Sequence, residues 1–352
     1  TFGFGAAWCT SPDCVLPSSL PCGRRPPPMP SPFPTAPEEA VVICTRNRPS
    51  ELARTLESVA EQSGAAHRPV VVVDGSDRAE AERTETVVQN WRDEAAPLRY
   101  HRYSGRPAGT RQRNTGVDLL PESVRVVHFI DDDVTLRAGY FDALLKALRQ
   151  HPPLLGVGGI IIESDGSPLR PPVSWKHRLF LLQTDHPNRV LPSGQTTTAW
   201  PLTNRSLQPA DWLATGASSY RTSVFGNHRF DPAAEGPSPR FEDLDFSFRV
   251  AQDGPLAVVP DARCVHRGSS RNPRGASATA QERIARRYWF VEKNMDRPLN
   301  RLAYWWSVLG QLVALAASSD PDSSAAFRGV LRGIQQVWSR NHPLLQHGHD
   351  DA

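Results

Sequence analysis

The stretch that most constrains this chain is Val126-Val127-His128-Phe129-Ile130-Asp131-Asp132-Asp133-Val134, an almost continuous apolar run ending in three adjacent carboxylates. An apolar run of this length, rich in Val and Ile, reads as a strand buried on both faces. In open α/β sheets ligands sit outside the carboxyl ends of such strands. Three like charges at that edge repel one another unless a cation or hydrogen-bond donors compensate them. The expectation is therefore a hard divalent cation, with a phosphate, at this edge. The competing reading is a solvated acidic turn before the next helix, and the surrounding chain has to decide between them.

Upstream, Ala40–Cys44 and Val70–Val73 are two more apolar runs, followed by the turns Thr45-Arg46-Asn47-Arg48-Pro49 and Asp74-Gly75-Ser76-Asp77. Leu52, Leu56 and Val59 recur at helical spacing after the first turn, with Ser50 as the expected N-cap. A polar helix is expected to about Trp91, a weaker strand at Leu98–Tyr103, and a helix over Ala108–Leu120 carrying Arg111, Arg113 and Asn114. After the acidic stretch, Tyr140, Phe141, Leu144, Leu145 and Leu148 fall on one helical face. Repeated strand–helix alternation predicts an α/β fold with a doubly wound, mainly parallel sheet flanked by helices. Right-handed crossovers place the strand-end turns on one edge, so Thr45, Asp74 and Asp131–Asp133 are expected to converge.

Further on, Leu154–Ile162 reads as a strand, and 163–209, rich in Pro, Ser and Thr with Trp175 and Trp200, as a long loop or lid. Trp212–Phe225 is mixed; its Thr215-Gly216-Ala217-Ser218 allows close approach of a ligand or backbone. Phe241–Arg249 opens a helix with Glu242 and Asp243 in its first turn, where the helix dipole favours negative charge, so simple capping competes with a catalytic role. Leu256–Val259 reads as a strand, and Cys264-Val265-His266 follows it. A lone His near a strand end is more often a packed residue than a metal ligand.

From Ser277 the pattern turns helical, with helices expected over Ala280–Asn294, Pro298–Ala317 and Ala325–Ser339. The apolar part of the middle one is shorter than the ~20 residues a spanning helix needs. Its Trp-rich start, with Arg283, Arg286, Arg287, Arg297 and Arg301 nearby, suits a membrane interface. Core packing in a small helical tail is the equal alternative. A net charge of +3 gives no electrostatic case for nucleic acid. The five cysteines, Cys9, Cys14, Cys22, Cys44 and Cys264, include no Cys-x-x-Cys pair, which argues against a zinc site or disulfide framework and for a reduced, cytoplasmic compartment. Residues 1–37, rich in Pro, Ser and Gly and without a signal-peptide pattern, read as a disordered leader. The expected division is 1–37 leader, 38–270 α/β domain, and 271–352 helical region.

The order of motifs resembles the inverting nucleotide-sugar glycosyltransferases of family 2, with the GT-A (Rossmann-like) fold. The resemblance runs from about Val41 to His266 through VVICTRNRP, RTLESVAEQ, VVVVDGSD, GTRQRNTGVDLL, FIDDDV and FEDLDFSFR. The tail RRYWFVEKN…LNRLAYWWSVLG looks like that of bacterial polysaccharide-assembly members. The resemblance implies transfer of a sugar, with inversion, from a nucleotide-diphosphate donor to a glycan or lipid-linked glycan acceptor, with Mg2+ or Mn2+ as cofactor. It implies that Asp131–Asp133 match the Asp-x-Asp motif, with Asp133 holding the metal and Asp131, beside Asp132, contacting the donor. Asp74 would read the nucleobase edge, with Thr45 and Arg46 beside it. Arg111 and Asn114 would contact the donor, Asp243 would be the general base, and His266 would help bind the metal. The turn after Val73 is shorter than the family's commoner form. The Gln-x-x-Arg-Trp signature of processive synthases is absent, which favours single-sugar transfer. The cysteine usage gives a cytoplasmic placement as the expectation, and the Trp-rich, Arg-flanked helix gives peripheral contact at the inner face of the cell membrane as one of its two readings.

The residue types suit this chemistry independently. Charge that builds on a departing diphosphate is neutralised by a cation, and a positioned carboxylate can take the acceptor's proton. Two rival readings remain open. Asp131-Asp132-Asp133-Val134-Thr135 also fits Asp-x-Asp-x-Thr, the nucleophile motif of haloacid dehalogenase-type phosphatases, although that motif should end the first strand of its domain and be followed by a Lys. A non-catalytic nucleotide-binding module keeps the fold without the turnover. A calcium loop is disfavoured because Leu136 stands where an EF-hand needs Gly.

Overall fold

The computed structural model describes residues 38–92, 97–163, 173–198, 206–234, 241–268 and 275–346. The expected leader at 1–37, Trp200 and residues 235–240 lie outside these residues.

Strand β1 (Glu39–Thr45) leads into helix α1 (Pro49–Ala60), and β2 (Val70–Asp74) into α2 (Arg78–Arg92). Then come β3 (Leu98–Arg102), α3 (Gly109–Asp118), β4 (Val126–Asp131), the short β5 (Val134–Leu136) and α4 (Tyr140–Gln150). The N-cap of α1 is Arg48 rather than Ser50, because Pro49 takes the first helical position, where its missing N–H costs nothing. β6 (Gly156–Glu163), α5 (Trp175–Leu179), β7 (Gln208–Ala210), β8 (Ala217–Arg221), α6 (Phe241–Asp253) and β9 (Leu256–His266) follow. The chain then continues through α7 (Gly275–Asn294), α8 (Pro298–Ala316), α9 (Ser323–Trp338) and α10 (Pro343–Gln346).

Among the described residues nine strands form one sheet in the order β3-β2-β1-β4-β8-β6-β9-β5, with β7 paired to β9. β1 to β4 are mutually parallel, β8 runs against β4 and β6, and β6 and β9 are parallel. This is the mixed, mainly parallel α/β architecture expected, with the helical region at the C-terminal end. The chain winds outward from β1 to β2 and β3, then returns to place β4 on the other side of β1. The order therefore reverses between β1 and β4, which opens a crevice at their carboxyl ends.

Helices cover both faces. Leu52 and Leu56 of α1, and Phe141 and Leu144 of α4, bury against Val41, Ile43 and Val72 on one side. On the other, Val42, Val71 and Phe129 meet Tyr220, Phe225, Phe230 and Phe246. The Phe246 ring stacks on both Phe225 and Phe230, at 5.5 and 4.0 Å between centroids. A third cluster joins Trp212 and Leu244 to Ile284, Phe290, Tyr304 and Val330, so the C-terminal helices share a core with α6.

Two local expectations change. Leu256–Val259 and Cys264–His266 are one strand: a register irregularity opposite Gly158 and Ile160 absorbs Pro260 and lets β9 continue. The described part of the expected lid is not a free loop. Asn188, Ser193 and Thr197 are buried, and the Trp212 indole donates to the Thr197 carbonyl at 2.9 Å. Phe180 packs on Trp306 of α8 at 5.0 Å, and the Trp306 indole donates to the Leu179 carbonyl. Aromatic contacts thus tie 173–198 to the helical region.

Under the sheet, Glu39, Arg68, His128 and Ser219 form a buried polar cluster. Ser219 Oγ lies 2.6 Å from His128 Nδ1, and His128 Nε2 lies 3.0 Å from Glu39 Oε2. The order serine–imidazole–carboxylate is that of a hydrolytic relay, but Ser219 and His128 are fully buried, so it serves packing. Burial raises the Glu39 pKa, yet His128 and Arg68 outweigh it and hold it at about 2.

Candidate active site

The carboxyl ends of β1, β2 and β4 bring together residues that are far apart in sequence. Thr45 lies in register with Asp74, and Cys44 with Asp131. β4 ends at Asp131, so Asp132 and Asp133 occupy a turn into β5 instead of preceding a helix directly. Thr45 Oγ1 donates to Asp132 Oδ2 at 2.7 Å, and the buried Thr55 hydroxyl lies 2.7 Å from the Asp132 carbonyl and 2.8 Å from that of Val134. Burial pushes the Asp132 carboxyl up to about 6 against the opposing pull of Thr45 and Arg48.

β5 pairs antiparallel with the end of β9, Val134 opposite His266, which sets His266 beside Asp133. His266 Nε2 is 3.4 Å from Asp133 Oδ1, and Arg48 Nη1 is 2.9 Å from Asp133 Oδ2. Burial raises the Asp133 pKa, but His266 and Arg48 outweigh it and hold the group below its ordinary value. Asp131 is approached closely by the Gly216 backbone. A Cβ at Gly216 would lie 2.0 Å from Asp131 Oδ2, so the small-residue segment before β8 serves backbone approach to the acidic motif.

The first turn of α6 closes the other side. Arg113, buried on α3, stands between the two acidic elements: Nη2 is 3.2 Å from Asp131 Oδ1, and Nη1 is 3.4 Å from Asp243 Oδ1 and 4.0 Å from Glu242 Oε1. Burial lowers the guanidinium's pKa, but Asp243, Asp131 and Glu242 outweigh it and raise it, so Arg113 is a permanent cation. Asp245 is fully buried and turned away, held by Arg249, Lys293 and Asn294 at 2.8 to 3.0 Å. Asp243 and Glu242 face the crevice edge and Asp245 the fold, as one helical turn requires.

The other expected contacts are placed less directly. Asp74 is fully buried: Tyr100 Oη donates to Oδ2 and the Ser76 amide to Oδ1, each at 2.7 Å, with Arg102 Nη1 at 3.5 Å. Arg46 is exposed and loosely paired with Asp77 at 3.9 Å. Arg111 is exposed on the outer side of α3. Asn114 clips the Phe230 backbone, donating to its carbonyl at 2.8 Å and accepting from its amide at 3.0 Å. Two cations that touch the acidic motif, Arg113 and Arg48, were not singled out from the sequence. The rotation of α3 decides between the two arginines: Gly116, one turn after Arg113, abuts Val42 of β1, so the Arg113 side of α3 faces the sheet and the Arg111 side does not.

A divalent cation is implied by the family resemblance. Among the described residues no three His, Cys, Asp or Glu side chains are gathered into a ready-made metal cage. Asp133 and His266, already in contact, offer a hard oxygen and an imidazole nitrogen on an open edge. Mg2+ and Mn2+ accept that donor set and complete their shells with water and phosphate oxygens. The residues present therefore fit the group.

Residues 40–204 match the family model described as Glycosyl transferase family 2. Among solved structures, GalNAc-T7 with UDP, GalNAc and Mn2+ superposes with a TM-score of 0.55 at 15% identity, over 87% of this chain and 58% of that one. S. aureus TarS 1–349 in complex with UDP-GlcNAc superposes at 0.54 with 14% identity, over 86% of this chain and 82% of that one. The chain thus spans less than two thirds of the GalNAc-T7 chain, and at such identities the likeness is one of fold. No curated protein sequence gives a match.

Proposed function

We propose, from the glycosyl transferase family 2 domain that the chain carries over residues 40–204, that it moves one sugar from a nucleotide-diphosphate donor to a hydroxyl of a glycan or lipid-linked glycan acceptor, with inversion. One observation carries this reading: the acidic turn after β4 and the acidic first turn of α6 meet across a single buried guanidinium, Arg113, at the crevice where the strand order reverses. A donor diphosphate in that crevice leaves one carboxylate group for the leaving-group side and another for the acceptor side.

In this reading Asp131 and Asp132 orient the donor, and Asp133 with His266 hold Mg2+ or Mn2+. The bound cation supplies positive charge to the departing diphosphate. Asp243 takes the proton of the attacking hydroxyl, and Arg113 keeps Asp243 and Asp131 at a fixed separation. One base opposite the leaving group gives a single displacement and inversion of the anomeric carbon. The phosphatase alternative loses ground, because three strands precede β4 in the chain and Asp131 is ion-paired to Arg113.

The donor is tested by thermal melting with UDP, dTDP and GDP, each with Mn2+. One of the three should raise Tm in proportion to the logarithm of its concentration, because it binds the native state. No shift with any of them, together with release of phosphate from simple esters, would transfer the reading to the phosphatase.

The acceptor side extends to a membrane in the same proposal. No described helix is long and apolar enough to cross one. On α8, Leu299, Leu302, Trp306, Leu309 and Val313 are exposed along one face, continuous with Leu179 of α5 through the Trp306–Leu179 hydrogen bond. Neither helix contains an acidic residue, and Arg297, Arg301 and Lys176 are exposed around the strip. An apolar face rimmed by cations complements an anionic lipid surface. Full-length chain should float with phosphatidylglycerol vesicles, and the Leu302→Glu, Leu309→Glu double variant should stay at the bottom of the gradient. Equal flotation of the two would return α8 to ordinary surface.

A further inference from the structure

The Arg48 side chain stands where the cation of the proposed site is needed. Its Nη1 lies 2.9 Å from Asp133 Oδ2 and 3.3 Å from Asp132 Oδ1. Burial lowers its pKa, but Asp132 and Asp133 outweigh it and raise it, so the charge is fixed. The other Asp133 oxygen faces His266 Nε2 at 3.4 Å. Both oxygens of the Asp133 carboxylate are thus engaged, one of them by a guanidinium.

A divalent ion ligated by Asp133 would have this guanidinium as a close neighbour. Like charges this close repel, and a doubly charged ion doubles the effect of a single one, with solvent screening the part of Arg48 that is exposed. The guanidinium has somewhere else to go. Its side chain is about half exposed, at 54%. It also borders a cleft of about 440 Å3 lined by Asn47, Ser50, Glu51, Glu80 and Arg83, whose two carboxylates already pair with Arg54 and Arg83. Its position explains how three adjacent carboxylates stay together in the metal-free chain: Arg113 neutralises one end of the motif and Arg48 the other.

We infer that Arg48 is a displaceable internal counter-cation of the acidic turn, which holds Asp132 and Asp133 in place without metal and is driven off Asp133 when a divalent ion binds. This rests on the metal role proposed above for Asp133. The expected signature runs opposite to that of a ligand or a merely structural residue: removing Arg48 strengthens metal binding and weakens the metal-free fold.

The test is titration of the donor-free full chain with Mn2+, following free Mn2+ by electron paramagnetic resonance, for the wild type, Arg48→Gln and Arg48→Lys. Arg48→Gln should bind Mn2+ roughly tenfold more tightly, since one competing charge is gone, and Arg48→Lys should stay near the wild type. In EDTA the Gln variant should melt below the wild type, and saturating Mn2+ should close the gap. Mn2+ binding by Arg48→Gln that is unchanged or weaker overturns the role of Arg48 while leaving the metal site standing. No Mn2+ binding by any of the three overturns both, whereas UDP-type binding in the melting assay would still separate that result from failure of the donor reading.

Discussion

Asp243→Asn lowers turnover by roughly 10²–10⁴-fold, the usual cost of removing a positioned base, while donor affinity changes little. The argument is geometric. Asp243 lies in the first turn of α6 and is 8% exposed, its Oδ1 3.4 Å from Arg113 Nη1. Asp245 is fully buried and tied to Arg249 and Lys293, so it has no route to an acceptor. Glu242 is the remaining rival, one residue earlier and 4.0 Å from the same guanidinium. The Asn variant keeps the shape, and Arg113 retains Asp131 as a partner, so the fold should survive. Steady-state rates at saturating donor, with Glu242→Gln alongside, decide the matter. Near-normal turnover in Asp243→Asn with loss in Glu242→Gln would hand the role to Glu242.

Asp133→Ala is expected to abolish the transfer proposed above and to remove any effect of Mn2+ on donor binding. Asp133 is the carboxylate that His266 touches, and with it the site loses its hard oxygen. Charge neutralisation of a diphosphate leaving group is worth several kcal/mol, hence on the order of 10³-fold or more in rate. Stability should change little, because deleting one of three adjacent carboxylates relieves mutual repulsion even as Arg48 gives up one contact and keeps Asp132. The check is donor titration by calorimetry with and without Mn2+, beside activity in excess EDTA. Undiminished wild-type activity in EDTA would remove the metal from the mechanism.

The sequence by itself determined the sheet and its ligand edge. Val41–Cys44, Val70–Val73 and Val126–Ile130 are apolar on both faces, which only a sheet sandwiched between helices satisfies, and each run ends in polar residues. Chain handedness then brings Thr45, Asp74 and Asp131–Asp133 to one side, whatever their separation in sequence. Those inferences rest on local periodicity and a general topological rule, so no tertiary contact was needed.

The tertiary structure decided what local pattern cannot encode. Which of Arg111 and Arg113 faces the acids depends on the rotation of α3 about its axis, and that is set by Gly116 against Val42. His266 meets Asp133 only because the three-residue β5 pairs with the far end of β9, a contact between segments about 130 residues apart whose strength lies in backbone pairing that no side-chain pattern announces. The segment 173–198 read as loop because its composition is polar. It is held instead by a few aromatic anchors: Phe180 on Trp306, far along the chain, and the buried Trp212 indole on the Thr197 carbonyl. Arg48 belongs to the same class. A turn arginine looks like any solvated charge until the fold carries the acidic turn to within 2.9 Å of it, and the long-range Coulomb term then outweighs its preference for water.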